Sequence, residues 1–132
     1  MIWQDIVIER RVSESELSSA LADAFNINTV NIVINKSVGD VVKSVDKAIL
    51  CDIHNHDFGY CITVAIYLFI IFDRNADTIL LQKISNILQT SILISDESPS
   101  YYSMTKVDPL GKISQVNIDP DRLDNFDEYH VI

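Results

Sequence analysis

Thirteen consecutive residues, Tyr60 to Phe72 (YCITVAIYLFIIF), carry no charge, glycine or proline, and this run restricts the possible folds more than any other stretch. It falls short of the roughly 20 apolar residues that a membrane-spanning helix needs. Thr63 and two tyrosines interrupt it, and β-branched residues, which favour strands, are frequent. It therefore reads as a buried strand, apolar on both sides. Alternation puts Tyr60, Ile62, Val64, Ile66, Leu68 and Ile70 on one face and Cys61, Thr63, Ala65, Tyr67 and Phe69 on the other. The second set is smaller and more polar, and is expected to point away from the helices.

The remaining elements fall into place around this strand. Ile2 to Ile8 alternates as a first strand. Ser13 precedes Glu16 by three residues, the spacing of a capping box, and Leu17, Ala20, Leu21, Ala24 and Phe25 then form one apolar helical stripe. Thr29 to Ile34 and Ala48 to Ile53 read as the second and third strands. Asn35 to Asp46, broken by Gly39, reads as a loop with one short helical turn. Asn55 to Gly59 reads as a turn. After a polar break at Asp73 to Asp77, Ile79, Leu80, Ile84, Ile87 and Leu88 mark a second amphipathic helix, with Asp77 or Asn75 near its start. Ile92 to Ile94 reads as a short strand. Tyr101 to Val107 and Lys112 to Ile118 form a hairpin about Asp108-Pro109-Leu110-Gly111, a type I turn pattern. The acidic tail from Asp119 has room for a helical turn at Asp121 to Phe126.

Two helices cannot cover both faces of a six- or seven-stranded sheet. The order therefore predicts an α+β fold: a two-layer α/β sandwich, with a mostly antiparallel sheet and its two main helices on one face. No linker, low-complexity tract or repeat divides residues 1–132, which read as a single domain. The other sheet face must be solvated, covered by loops or offered to a partner.

Net charge and cysteine content narrow the function classes. A net charge of −9 opposes binding to nucleic acid or to an anionic membrane, and suits a basic protein partner as well as simple solubility. Two cysteines are too few for a disulfide framework, and the opening MIWQDIVIERR has neither a basic export-signal region nor a small-residue cleavage site, so the expected compartment is the cytoplasm.

Enzyme chemistry finds little footing. Asp52, His54, His56 and Asp57 are the one cluster resembling a metal site, but the histidines flank a predicted turn and no further ligand stands at a recognisable spacing. A solvated turn accounts for them more simply. Cys51 and Cys61 lie on two strands without a basic residue to lower either thiol pKa, and read as structural thiols. Should their register place them opposite each other, they could act as a redox pair. Three glycines, Gly39, Gly59 and Gly111, cannot compose a phosphate-binding loop, Arg10 and Arg11 make only a small basic spot, and there is no nucleophile elbow. The expectation is a protein without catalytic residues, metal or cofactor.

The negative charge is unevenly placed. Residues 96–132 hold eight acids against three bases, and the acids come interleaved with aromatics. Asp96 and Glu97 precede Tyr101 and Tyr102, and Asp119, Asp121, Asp124, Asp127 and Glu128 surround Phe126 and Tyr129. Tyrosines give contact area at small entropic cost and carboxylates bind arginine in bidentate fashion, so these residues form a candidate partner-binding set. A solvated acidic rim with tyrosines packed on the hairpin is the competing interpretation.

The stretch ILISDESPSYYSMTKVDPLGKISQVNIDPDRLD, Ile92 to Asp124, resembles small bacterial immunity proteins of polymorphic and contact-dependent toxin systems. The likeness lies in a short strand ending in an acidic SDE, a loop bearing proline and tyrosine, a hairpin, and a closing DxxxLD; DIHNHDFGYCITVAIYLF adds to it. It implies a cytoplasmic α/β protein that neutralises a cognate toxin by blocking its active or substrate-binding surface, and it transfers no binding motif residue by residue. The alternative is an adaptor or structural subunit that self-associates around Tyr67 and Phe69, as a homodimer, or engages another protein.

Overall fold

A computed structural model describes residues 2–35, 48–70 and 76–132. The elements run β1 (Ile2–Ile8), α1 (Glu14–Phe25), a 3-10 turn (Thr29–Asn31), β2 (Ile32–Asn35), β3 (Ile49–Asn55), β4 (Ile62–Leu68), α2 (Asp77–Leu88), β5 (Ile92–Ser95), β6 (Ser103–Val107), β7 (Ile113–Asn117) and α3 (Pro120–Phe126). Among the described residues one seven-stranded sheet in the order β2-β3-β4-β1-β5-β6-β7 contains all the strands, and only β2 and β3 run parallel. This is the anticipated α+β fold with a mostly antiparallel sheet.

The apolar run takes the centre. Strand β4 pairs with β3 on one side and β1 on the other, and its burial alternates strictly from Ile62 to Leu68. Ile62, Val64, Ile66 and Leu68 join Ile6 and Ile8 of β1, Ile49 and Cys51 of β3, and Ile92 of β5 in one core with Leu17, Ala20 and Leu21 of α1 and Leu81, Ile84 and Leu88 of α2. Each fully buried leucine or isoleucine contributes about 1.5–3 kcal/mol. Thr63, Ala65 and Tyr67 face away from the helices, as the alternation predicts, whereas Cys61, which precedes the strand, packs against the helix-facing core. Tyr60 does not belong to the helix-facing set: the strand begins only at Ile62, and Tyr60 turns into a second cluster on the opposite face.

Local chemistry fixes the helix positions. Ser13 and Glu16 close the capping box of α1, with Ser13 Oγ accepting from Glu16 N at 3.0 Å. Arg10 donates both to Glu16 Oε2 (2.7 Å) and to Leu88 O at the end of α2 (2.6 Å), so the presumed unspecific basic spot is a clamp between the two helices. Helix α2 has no side-chain cap at its start; Asp77 instead accepts from Trp3 Nε1 at 3.1 Å. The buried Ser85 hydroxyl lies 2.7 Å from Thr90 O and 3.1 Å from Val107 O, tying α2 to β6.

The boundaries of β2 and β3 differ from the sequence reading. Asn28 Oδ1 accepts from Val30 N at 3.0 Å and winds Thr29–Asn31 into a 3-10 turn, so β2 starts at Ile32. Strand β3 extends to Asn55, because His54 and Asn55 pair with Thr63 and Ile62. Residues 36–46 of the expected loop, and residues 73–75 of the polar break expected at Asp73 to Asp77, lie outside the described residues, while Asn35 ends β2. The β6–β7 turn forms as predicted: Asp108 Oδ1 accepts from Leu110 N and Lys112 N at 2.9 Å each, and Gly111 takes φ +86°, a conformation that side chains strain.

Burial pushes the Cys51 thiol up to about 12, helped by the charge of Asp52, and burial together with Glu9 pushes the Tyr60 hydroxyl up to about 12. Both groups ionise at lower pH in the unfolded chain than in the folded one. Their contribution to stability is complete below pH about 9 and is lost as the pH climbs toward about 12. The urea unfolding midpoint is expected to fall markedly between about pH 8 and about pH 10.5. An unchanged midpoint would mean that neither group is buried as described.

Candidate functional site

The sheet face opposite α1 and α2 is covered in part by the chain's own C-terminal segment. Val7, Tyr60, Leu93 and Ile118 form a buried cluster there, with Met104, Val116, Leu123 and Tyr129 packed against it. Helix α3 starts at Pro120, whose missing N–H costs nothing at that position, and Asp119 caps it by accepting from Asp121 N (3.0 Å) and Arg122 N (3.4 Å). The tail after α3 is then stitched to the sheet: Tyr60 N donates to Tyr129 O (2.9 Å), Asp119 N to His130 O (2.8 Å) and Ile132 N to Asn117 O (2.9 Å). Gly59, at φ +75°, permits this contact, because a Cβ there would sit 2.5 Å from Tyr129 O.

Two adjoining cavities remain open on this face. One, of about 520 Å³, is lined by residues of five strands, among them Asp5, Val7, His54, Thr63 and Ala65. The other, of about 340 Å³, lies among Ser98, Ser100, Tyr101, Leu123 and Asp124. They share Ser95, Met104 and Tyr129, so they form one cleft, and no lysine or arginine lines either among the described residues. Burial first, and then the charges of Asp127 and Asp5, raise the pKa of the Tyr129 hydroxyl, which marks a negative potential in the shared wall.

The loop between β5 and β6 is held by a ladder of short side-chain bonds. Asp96 Oδ1 accepts from Ser98 N (2.9 Å), Ser98 Oγ from Ser100 N (3.2 Å) and Ser100 Oγ from Tyr102 N (3.2 Å). Each replaces a backbone partner two residues on. Tyr101 thus stands 84% exposed on a constrained loop. The Tyr102 hydroxyl donates to Asp124 Oδ2 at 2.6 Å, and this bond, more than the nearby charges of Asp124 and Asp121, raises the tyrosine pKa.

The predicted partner-binding residues therefore divide. Tyr101, Tyr102 and Asp124 come together at the mouth of the cleft, and Asp121 lies exposed in the first turn of α3. Asp96 is held by Ser103 Oγ (2.5 Å) and Gln115 Nε2 (3.1 Å), and the Ser103 bond lowers its pKa most. Asp119 serves as the α3 cap. Glu128, its side chain 13% exposed, bonds His130 at 3.0 Å with Arg122 at 3.8 Å. Asp127 closes α3 in the left-handed conformation at φ 53°, and Glu97 takes φ 64° on the loop; both are exposed. Asp5, His54, Met104 and Tyr129 were not singled out from the sequence as cleft residues, because only the register of distant strands assembles them.

The other candidate chemistries look different in three dimensions. Cys51 pairs with Ile66 and faces the helices, whereas Cys61 lies just before β4; both thiols are free, and their register does not place them opposite each other. Asp52 and His54 are on β3 and not in a turn, and His56 Nε2 bonds Thr63 Oγ1 at 2.7 Å. Among the described residues no group of three or more His, Cys, Asp or Glu is placed to hold a metal ion, and no helix is long and apolar enough to cross a membrane. No protein-family model, curated protein or solved structure matches the chain.

Proposed function

We propose that this protein is a non-enzymatic, cytoplasmic inhibitor of the immunity type, which binds a cognate bacterial toxin domain and covers its active or substrate-binding surface. The observation that carries the reading is the cleft mouth on the sheet face opposite α1 and α2. There Tyr101 stands exposed on a constrained loop, Tyr102 is bonded to Asp124, and the walls contain acids but no lysine or arginine among the described residues. A rigid aromatic anchor beside desolvatable carboxylates is the arrangement that concentrates binding energy at protein interfaces. The carboxylates suit a basic surface such as a nuclease's substrate cleft, and the excess of acid accelerates encounter with it.

The test is to mix the purified protein with the toxin domain encoded beside it, measuring affinity and residual toxin activity in low and in high salt. A complex that silences the toxin and weakens severalfold between about 0.05 and about 0.5 M salt is the expected result. Absence of any complex, or a complex that leaves the toxin active, would refute the reading.

A further inference from the structure

Strand β7 ends the sheet, and its free edge is unusually well suited to pairing. In the β6–β7 ladder, Asp108 N donates to Lys112 O and Ile118 N donates to Tyr102 O. Antiparallel pairs alternate between bonded and non-bonded, so Ser114 and Val116 bond inward to β6 while Ile113, Gln115 and Asn117 turn their N–H and C=O outward. The tail occupies the far end of this edge, where Ile132 N donates to Asn117 O. At Ile113 and Gln115 the outward groups have no hydrogen-bond partner among the described residues.

Proteins usually blunt such an edge with lysine, proline or a bulge. The strand here, Ile-Ser-Gln-Val-Asn, has no charge and no proline, and its register with β6 is unbroken, although the chain as a whole carries −9. Beside it Leu110 is 94% exposed and Ile113 45%, so the open edge is flanked by apolar surface.

We propose that β7 pairs antiparallel with β7 of a second copy about a two-fold axis at Ser114. That register sets Ile113 opposite Gln115 of the other copy, and Gln115 opposite its Ile113. Both are bonded pairs, so the four outward N–H and C=O groups of each chain are satisfied by four hydrogen bonds, and the edge at Asn117 stays with the tail. The arrangement is self-complementary, which a two-fold interface requires, and this favours a second copy over a foreign strand. The two copies carry like net charge, so salt strengthens this association, the opposite of its effect on a complex with a basic partner.

Sedimentation across a concentration series, with hydrogen exchange read at single amides, tests the pairing. The wild type is expected at twice the chain mass at high concentration, with exchange at Ile113 and Gln115 slowed about tenfold or more relative to dilute protein. Ile113→Lys is expected to weaken association about tenfold or more by bringing two ammonium groups near each other on one face. Gln115→Pro removes an outward N–H, which an edge strand tolerates, together with the side-chain bonds from Gln115 Nε2 to Asp96 and Ser103, and is expected to do the same. Circular dichroism verifies that each variant folds, and Ile113→Lys decides alone if Gln115→Pro does not. A wild type that stays monomeric overturns the proposal. So does a dimer that persists in Ile113→Lys with both amides exchanging freely, or protection that appears only when a different protein is added.

Discussion

The double variant Tyr101→Ala, Asp124→Lys is expected to bind the toxin domain about 100-fold or more weakly than the wild type while retaining its fold. The Tyr101 ring makes no hydrogen bond or ring contact among the described residues, and it is 84% exposed on the Ser98–Ser100 ladder. Asp124 lies on an exposed turn of α3 and accepts a single hydrogen bond, from Tyr102. Reversing its charge removes an attraction and plants a repulsion in a cleft whose walls hold no lysine or arginine among the described residues. Exposed positions of this kind cost the fold about 1 kcal/mol or less. Isothermal titration with the toxin domain, alongside urea unfolding of the free variant, checks both halves. Unaltered affinity would place the docking surface elsewhere.

Ile66→Ala is expected to lower stability by about 3–4 kcal/mol, and Thr63→Ala by about 1 kcal/mol. Both residues belong to β4, three positions apart and on opposite faces. Ile66 is fully buried between β3 and β1 beneath the helices, so truncation leaves a cavity that packed neighbours cannot close. Thr63 lines the open cleft, and its hydroxyl gives up one hydrogen bond, to His56. Urea unfolding of the two variants measures the difference directly. Equal losses would contradict the assignment of one sealed face and one open face.

That assignment was readable from the sequence, because strand alternation needs no partner to interpret. The capping box at Ser13 and Glu16 and the turn at Asp108 to Gly111 were equally legible, since each is a bond pattern within a few residues. Elements stabilised from afar were not. Arg10 clamps α1 to α2 across 78 positions of sequence, and nothing adjacent to it signals that role. Helix α3 has no buried residue, so periodicity could suggest only a turn, and its function as a cover emerges from Leu123 and Tyr129 reaching the second cluster. The same distance effect explains the site. The interleaving of acids and tyrosines pointed to the third of the chain that contributes the cleft mouth, but whether a carboxylate is available depends on its bonds. Asp119 and Glu128 are engaged within the tail and Asp96 within the hairpin, whereas Asp121 and Asp124 remain on the surface of α3.

The most direct measurement is a hydrogen-exchange footprint of the protein with and without the bound toxin domain. Docking at the cleft predicts new protection confined to the β5–β6 loop around Tyr101 and to α3 and the tail, with α1 and the outer surface of α2 unchanged. Protection on the helix layer, with the Tyr101 loop and α3 exchanging as in the free protein, would contradict it.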